Sequence, residues 1–408
     1  MRSRRNDMEK LDPARMPSRR LGMRLTSVAT AGALAATLGL AACSSSKGKA
    51  SGGGGGTGNT QTGKESPQQA VTTAFGNVGK ESGVRLTFSL PLSVDQIQQL
   101  NKSTSSTTMP PAAAEALSSG SIFFSVSTGH GEALNSQQAA TDKDNSVDLG
   151  FTVKGNTPVE IRYVGQALYI HADIAQVLSD VGQANNASAA KVGSTLQQAD
   201  QFVPGLGALG QGKWVELSKQ SIQSLQPYLK QLQQQAQQST GSTSETTLSQ
   251  AQIRSVLGKL EADLRTAING NVTFASLGNS NGRTEYSATA NVSGFANSIL
   301  PLIQRDLSSL PGFGSMTSND ISKAQKSIPP GQTAVVNLYV SNNKLSEADL
   351  DVTQFMKTNK PSFPVPVRMA VDNPGQIAAP PGATQLDLSK LPTLLQGLMG
   401  GLGSKTSG

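Results

Sequence analysis

Hydrophobic and polar residues alternate in many short stretches of this chain. In GVRLTFSLPL, which begins at Gly83, every second side chain is valine, leucine or phenylalanine, the pattern of a strand that buries one face. Turn residues such as Gly155-Asn156 and Asn342-Asn343 separate successive stretches, and connections this short predict antiparallel neighbours. Further strands are predicted from Ser118, Ser146, Pro158, Ala167, Lys213, Asn271, Arg283, Gln332, Lys344, Pro364 and Gln376.

Apolar residues recur at intervals of three and four in other stretches, as they do on one face of a helix. The first predicted helix starts at Ser66-Pro67, a good N-cap followed by proline at the first helical position, and ends at Gly79. Residues 93–119 are predicted to hold one short helix and then an irregular segment rich in Ser, Thr, Pro and Ala. Further helices are predicted over residues 173–182, 189–202, 218–236, 249–268, 296–310 and 320–326, and residues 204–212 are predicted to be a loop.

The order of these elements predicts the fold class. Strands with short connections alternate with groups of helices, no series of strand, helix and parallel strand occurs, and no fixed period recurs. A doubly wound binding protein and a solenoid are therefore disfavoured. We predict an α+β domain: one curved antiparallel sheet, a half-barrel, with helices packed on its concave face.

The first 43 residues have the layout of a secretory signal. Residues 2–24 are basic, and residues 25–42 are uncharged, small and apolar; at about 18 residues they lie at the lower edge for a membrane span. The stretch ends in Leu40-Ala41-Ala42-Cys43, which resembles a bacterial lipobox. Cys43 is the only cysteine of the chain, and because it stands at the edge of the signal, we interpret it as the lipidated anchor rather than as a buried core thiol. Arg19-Arg20 is interpreted as part of an ordinary basic segment, not as a twin-arginine signal.

The chain therefore divides into a signal peptide with lipobox (1–43), a disordered Gly/Ser linker (44–66), a folded domain (67–391) and a flexible tail (392–408). Met16 and Met23 are alternative starts of the signal. Residues 1–43 contribute +5 of the net charge of +7, so the remainder carries only +2. Such a chain lacks the cluster of basic residues that nucleic-acid binding requires. The linker spans a root-mean-square distance of about 26 Å, enough to lift the domain off a membrane.

Two parts of the domain resemble a known family. VEIRYVGQALYIHADIAQVL with the later GKWVELS, and the closing series VVNLYVSNNKLSEADLDV, PVRMAVDN and QIAAPPGATQLDL, are similar to strands of actinobacterial lipoproteins of the LppX/LprG type and of LolA-type lipoprotein carriers. The resemblance implies a half-barrel whose hollow, roofed by helices, holds the acyl chains of lipids or lipoglycans. The domain is longer than is usual in that family, with extra helices around residues 183–210 and 218–268 that fill the hollow, enlarge it or form a partner surface.

Candidate chemistry is sparse. The two histidines, His130 and His171, are interpreted as surface residues, because no G-x-S-x-G elbow accompanies them. The pairs Asp142/Asp144 and Asp349/Asp351 are too short to match a calcium loop, so we predict no metal site, no cofactor and no catalytic residue. The residues predicted to line a cavity, if they do not simply fill a core, are Phe88, Phe123, Phe151, Tyr163, Tyr169, Trp214, Phe274, Tyr286 and Tyr339.

These observations favour a cell-envelope lipoprotein, anchored at the extracytoplasmic face of the membrane, that binds or transfers an amphipathic lipid or lipoglycan. The alternative is a structural lipoprotein without a ligand cavity, whose inserted helices over residues 218–268 dock an envelope protein. A hydrolase that uses His171 is a third and much weaker hypothesis. We expect no enzymatic activity.

Overall fold

The computed structural model describes residues 65–104, 107–139, 142–182, 186–223, 263, 266–307, 318–356 and 360–388. Within them, twelve strands form one sheet. The strands are β1 (Gly83–Ser89), β2 (Ser121–Ser127), β3 (Ser146–Val153), β4 (Asn156–Val164), β5 (Ala167–Ala172), β6 (Val215–Leu217), β7 (Val272–Ser280), β8 (Arg283–Asn291), β9 (Thr333–Ser341), β10 (Lys344–Asp351), β11 (Pro366–Asp372) and β12 (Thr384–Gln385).

The α-helices lie before, between and beside these strands. A short 3-10 helix, Val352–Phe355, follows β10. The α-helices are α1 (Pro67–Val78), α2 (Val94–Thr104), α3 (Pro111–Ser119), α4 (Ile174–Asp180), α5 (Asn186–Asp200), α6 (Leu206–Gly210), α7 (Val292–Leu307) and α8 (Ser318–Ser327).

The sheet is open, in the order β12-β6-β5-β4-β3-β2-β1-β11-β10-β9-β8-β7. Neighbours are antiparallel except β6 and β12, which are parallel. The N-terminal strand β1 lies in the middle, between β2 and β11, so it joins a half built from β2–β6 to a half built from β7–β11. The predicted α+β class with one largely antiparallel sheet is confirmed.

Alternation along the strands gives the sheet one apolar and one polar face. Over β7–β11 the apolar face is covered: α1 and α7 pack Phe75 and Phe295 against sheet residues such as Leu338 and Met369 in the largest buried cluster. A smaller cluster covers the apolar side of β5 and β6, where Val215 packs with residues around α6 and β12. The core therefore occupies two separate parts of the same face.

The predicted start of the first helix is confirmed: the Ser66 hydroxyl accepts a hydrogen bond from the Gln69 backbone N–H (3.2 Å), and Pro67 is the first helical residue. The irregular segment predicted up to residue 119 is wrong, because Pro111–Ser119 is the alanine-rich helix α3. Alanine has the highest helix propensity, and proline fits the first helical position.

Two further predictions need correction. The loop predicted over residues 204–212 contains the short helix α6. The strand predicted from Gln376 is reduced to Thr384–Gln385, which pairs in parallel with β6. The signal, Cys43, nearly all of the linker, the tail and most of the helices predicted over residues 218–268 lie outside the described residues.

Candidate apolar binding face

Five large apolar side chains on strands β2–β4 are exposed on the apolar side of the sheet. Their relative exposure is 38–53%, although every one of them alternates with buried or partly buried neighbours in a central part of the sheet. We call this surface the open apolar face; it consists of Ile122, Phe124, Leu149, Ile161 and Tyr163.

The strand register makes this surface continuous. Phe124 pairs with Leu149, and Leu149 pairs with Ile161, so three apolar side chains lie side by side across three strands. Directly opposed residues of antiparallel strands have Cβ atoms about 4.5–5.5 Å apart. Contiguous exposed apolar surface of this kind marks an interaction site far better than scattered single residues do.

The open apolar face lies between the two covered parts of the same side. On one flank, Leu86 and Phe88 of β1 pack against the large cluster beneath α1 and α7. On the other flank, Ile170 of β5 packs against the cluster around α6. The five exposed residues thus form an uncovered strip between two packed parts of this face, and we call this strip the trough.

Helices also lie at one end of this trough. Helices α2 and α3 contribute Ile97 and Ala114 to a third buried cluster, and the Glu115 carboxylate of α3 accepts a hydrogen bond from the Lys154 ammonium at the β3–β4 turn (2.9 Å). Helix α4 follows β5 at the same end, with the Asp173 carboxylate as its N-cap. The loop that joins β2 to β3 lies at the opposite end.

The polar face of the same strands carries a buried ionic cluster. Asp148 is 2% exposed, and its carboxylate is 3.3 Å from the Arg85 guanidinium and 3.8 Å from that of Arg162. The Arg162 guanidinium also contacts the Glu160 carboxylate (2.6 Å) and lies 5.0 Å from the Trp214 ring centroid. Burial, and secondarily the charge and hydrogen bonding of Glu160, raise the pKa of Asp148 to about 7.

The segment between β11 and β12 crosses this polar face. The Ile377 backbone N–H donates to the Ser127 hydroxyl (3.1 Å), the Gln376 side chain donates to the Gly129 carbonyl (3.2 Å), and Arg162 donates to the Ala378 carbonyl (3.2 Å). Ile377 is buried at this crossing, and the Ala378 carbonyl gives Arg162 one more partner. The cluster therefore serves to hold the segment in place on the side opposite the trough.

The nine residues that the sequence predicted to line a cavity do not all lie on one face of the sheet. Four have their rings on the polar face, so they do not share a surface with the trough. Of the others, Tyr163 belongs to the open apolar face and Phe151 adjoins it, whereas Phe88, Phe274 and Tyr286 pack against the large core cluster. The four on the polar face are Phe123, Tyr169, Trp214 and Tyr339.

Four residues of the open apolar face were missed: three are aliphatic, whereas only aromatic residues were selected from the sequence, and the aromatic Phe124 was passed over. Ile122, Phe124, Leu149 and Ile161 stand at alternate positions of three successive predicted strands. That spacing places them on one face. The sequence does not show that this face stays uncovered, since exposure depends on where the helices pack.

Within the described ranges, neither histidine forms a hydrogen bond with a serine hydroxyl. The His171 Nε2 atom is 3.0 Å from the Gly212 carbonyl oxygen, its ring stacks on Trp214 at 5.2 Å, and its Nδ1 atom has no hydrogen-bond partner within the described residues. His171 is thus partly buried, not at the surface as predicted. His130 is exposed, and hydrogen bonding to Asp142, helped by the charges of Glu132 and Asp144, raises its pKa.

No protein-family model matches this chain, and no curated protein matches its sequence. No helix in the described ranges is long and apolar enough to span a membrane.

Proposed function

We propose that this protein is a membrane-anchored envelope lipoprotein that binds the acyl chains of an amphipathic lipid or lipoglycan on its open apolar face. In this proposal the trough is the concave side of a half-barrel, and helices roof its two flanks. The observation that carries the proposal is the exposure of five contiguous apolar side chains between two packed cores.

The chemistry of the trough favours an acyl chain over a polar ligand. Leu149, Ile161 and Phe124 offer no hydrogen-bonding group, so a ligand gains affinity there by removing apolar surface from water. Burial contributes roughly 25 cal/mol per Å². Exposed apolar side chains at this position also favour lipid binding over the docking alternative, which requires a filled hollow.

The proposal is tested with Leu149→Ser in the full chain. The probe is a phosphatidylglycerol with one pyrene-labelled acyl chain, added to the detergent-solubilised protein, and the readout is pyrene fluorescence on titration. We expect wild-type protein to bind it and Leu149→Ser to bind about fivefold to tenfold more weakly, because part of a leucine contact is lost.

The matched control is Leu277→Ser, since Leu277 is 55% exposed on the edge strand β7, away from the trough. It should bind the probe like wild type. Circular dichroism of both variants checks that the fold persists. Equal binding by wild type and Leu149→Ser, or no binding by wild type, would overturn the proposal; a protein adduct on Ile161 in photo-crosslinking of intact cells, with no lipid adduct, would favour docking instead.

A further inference from the structure

The loop that joins β2 to β3 brings together three side chains with metal-binding atoms. Ligand atoms of His130, Glu132 and Asp142 all lie within 4.8 Å of one another. The His130 Nδ1 atom is 3.1 Å from an Asp142 carboxylate oxygen. The group lies outside the trough and has no part in the proposed lipid binding.

The backbone around this group is held by hydrogen bonds to the segment after α1. The Thr128 and Leu134 backbone N–H groups donate to the carbonyl oxygens of Ser82 and Glu81, both at 2.8 Å. The Asp142 carboxylate accepts from the backbone N–H groups of Gly129 (3.2 Å) and Asp144 (2.9 Å), which fixes its orientation. A ligand held in this way is preorganised for a cation.

A second observation points to a cation. The Glu132 Oε2 atom is shielded from solvent and has no hydrogen-bond partner among the described residues. Glu132 as a whole is partly exposed, but a shielded carboxylate oxygen is normally hydrogen-bonded or bound to a metal. Because Asp142 is also acidic, a neutral His130 leaves two negative charges facing one another across this group.

We infer that His130, Glu132 and Asp142 bind a divalent transition-metal ion, of which Zn²⁺ fits best. One imidazole nitrogen with two carboxylates is a ligand set that zinc accepts, whereas Ca²⁺ and Mg²⁺ prefer oxygen ligands alone. Ligands of a tetrahedral zinc ion are about 3.4 Å apart. Three protein ligands leave the fourth position for water.

The test is equilibrium dialysis of the full chain against Zn²⁺, with metal content measured by mass spectrometry. The protein carries no histidine tag, and Cys43→Ser is present throughout because a free thiol also binds zinc. We expect one zinc ion per chain, not displaced by excess Ca²⁺. His130→Gln and Glu132→Gln should each weaken binding by at least about tenfold, since even outer-shell partners contribute that much.

The control is His171→Gln, which changes the only other histidine of the chain and should leave zinc binding unchanged. Circular dichroism checks the fold of each variant; Asp142 is left intact because it also holds the loop. Lack of stoichiometric zinc at submillimolar concentration would overturn the inference and leave an ion pair only. Binding that persists in both His130→Gln and Glu132→Gln would overturn it too. Neither result bears on lipid binding in the trough.

Discussion

Asp148 links the protein's stability to pH through its burial. Its pKa is about 7 in the fold and 3.8 ordinarily, because burial and the neighbouring Glu160 disfavour the charged form, while Arg85 and Arg162 partly offset this. Between these two values the folded chain holds a proton that the unfolded chain does not. The free energy of unfolding therefore falls as pH rises from about 4 to about 7, and the full penalty is present above that range.

Asp148→Asn removes this titration while keeping the shape of the side chain. We expect the variant's free energy of unfolding, measured relative to that of wild type, to increase steadily as pH rises from about 4 to about 7 and then to level off, because only wild type loses stability over that range. Urea unfolding across that range measures it. The exposed Asp95→Asn serves as the control and should show no such trend. A difference between Asp148→Asn and wild type that is independent of pH would contradict the account.

Leucines in the covered part and in the exposed part of the apolar face should differ sharply in what they contribute to the free energy of unfolding. Leu338 is fully buried under α1 and α7, so Leu338→Ala should lower the free energy of unfolding by about 3 kcal/mol through lost burial and a cavity. Leu149→Ala should lower it by less than about 1 kcal/mol, because its side chain is already 44% exposed. Urea denaturation compares them. Equal losses would mean that Leu149 is covered.

Strands β2 and β3 fit together because one of them lacks a side chain. The Phe123 ring lies over Gly150, where an added Cβ atom would be 2.4 Å from the ring. The Arg85 guanidinium covers the same ring, 4.5 Å from its centroid. Glycine normally weakens a strand interior, so its presence here reflects the close approach of the ring.

Gly150→Ala should therefore destabilise the fold by about 1–3 kcal/mol, the usual cost of overpacking. Gly76→Ala is the matched control. Gly76 lies within α1 with no atom near its missing Cβ, and alanine should stabilise that helix by about 0.5–1 kcal/mol. Thermal unfolding of both variants measures the contrast. A Gly150→Ala variant as stable as wild type would show that the ring moves aside at no cost.

The sequence predicts elements better than it predicts their arrangement. Alternation located β3, β4 and β9 well, since a strand with one buried face has a period of two whatever its neighbours are. It did not place β1 beside β11, because pairing between distant segments leaves no local pattern. The grouping of His130 with Asp142 was missed for the same reason: the loop's backbone hydrogen bonds bring them together.

At the scale of the whole molecule, the proposed function needs three parts together: the trough binds the lipid, the anchor attaches the protein to the membrane, and the linker joins them. In that proposal the linker predicted over residues 44–66, with a root-mean-square span of about 26 Å, lets the domain reach a membrane surface without entering it. Stable attachment needs at least two lipid signals, because a single acyl chain binds only marginally.

Cys43→Ala tests this anchor in the producing cell. We expect the protein to be exported but left uncut at this site, or to be released into the soluble fraction if another peptidase trims it. The domain should keep the circular dichroism and melting temperature of the native protein, because no predicted core residue precedes position 67. Cell fractionation with immunoblotting measures the outcome. A variant that stays in the membrane pellet at native abundance after signal removal would contradict the anchor.

The central ladder between β1 and β11 also governs how the chain folds. Its register joins Arg85 to Asp372, near opposite ends of the domain. Most neighbouring strands within each half are close in sequence, but β1 pairs with β11 across most of the domain, and such long-range closure is slow. Until then β1 and β10 are unpaired edges, which are sites of intermolecular association. A chain truncated before Pro366 thus consists of two half-sheets with unpaired edges and is prone to aggregate. Truncation late in the chain is therefore the error that this topology tolerates least.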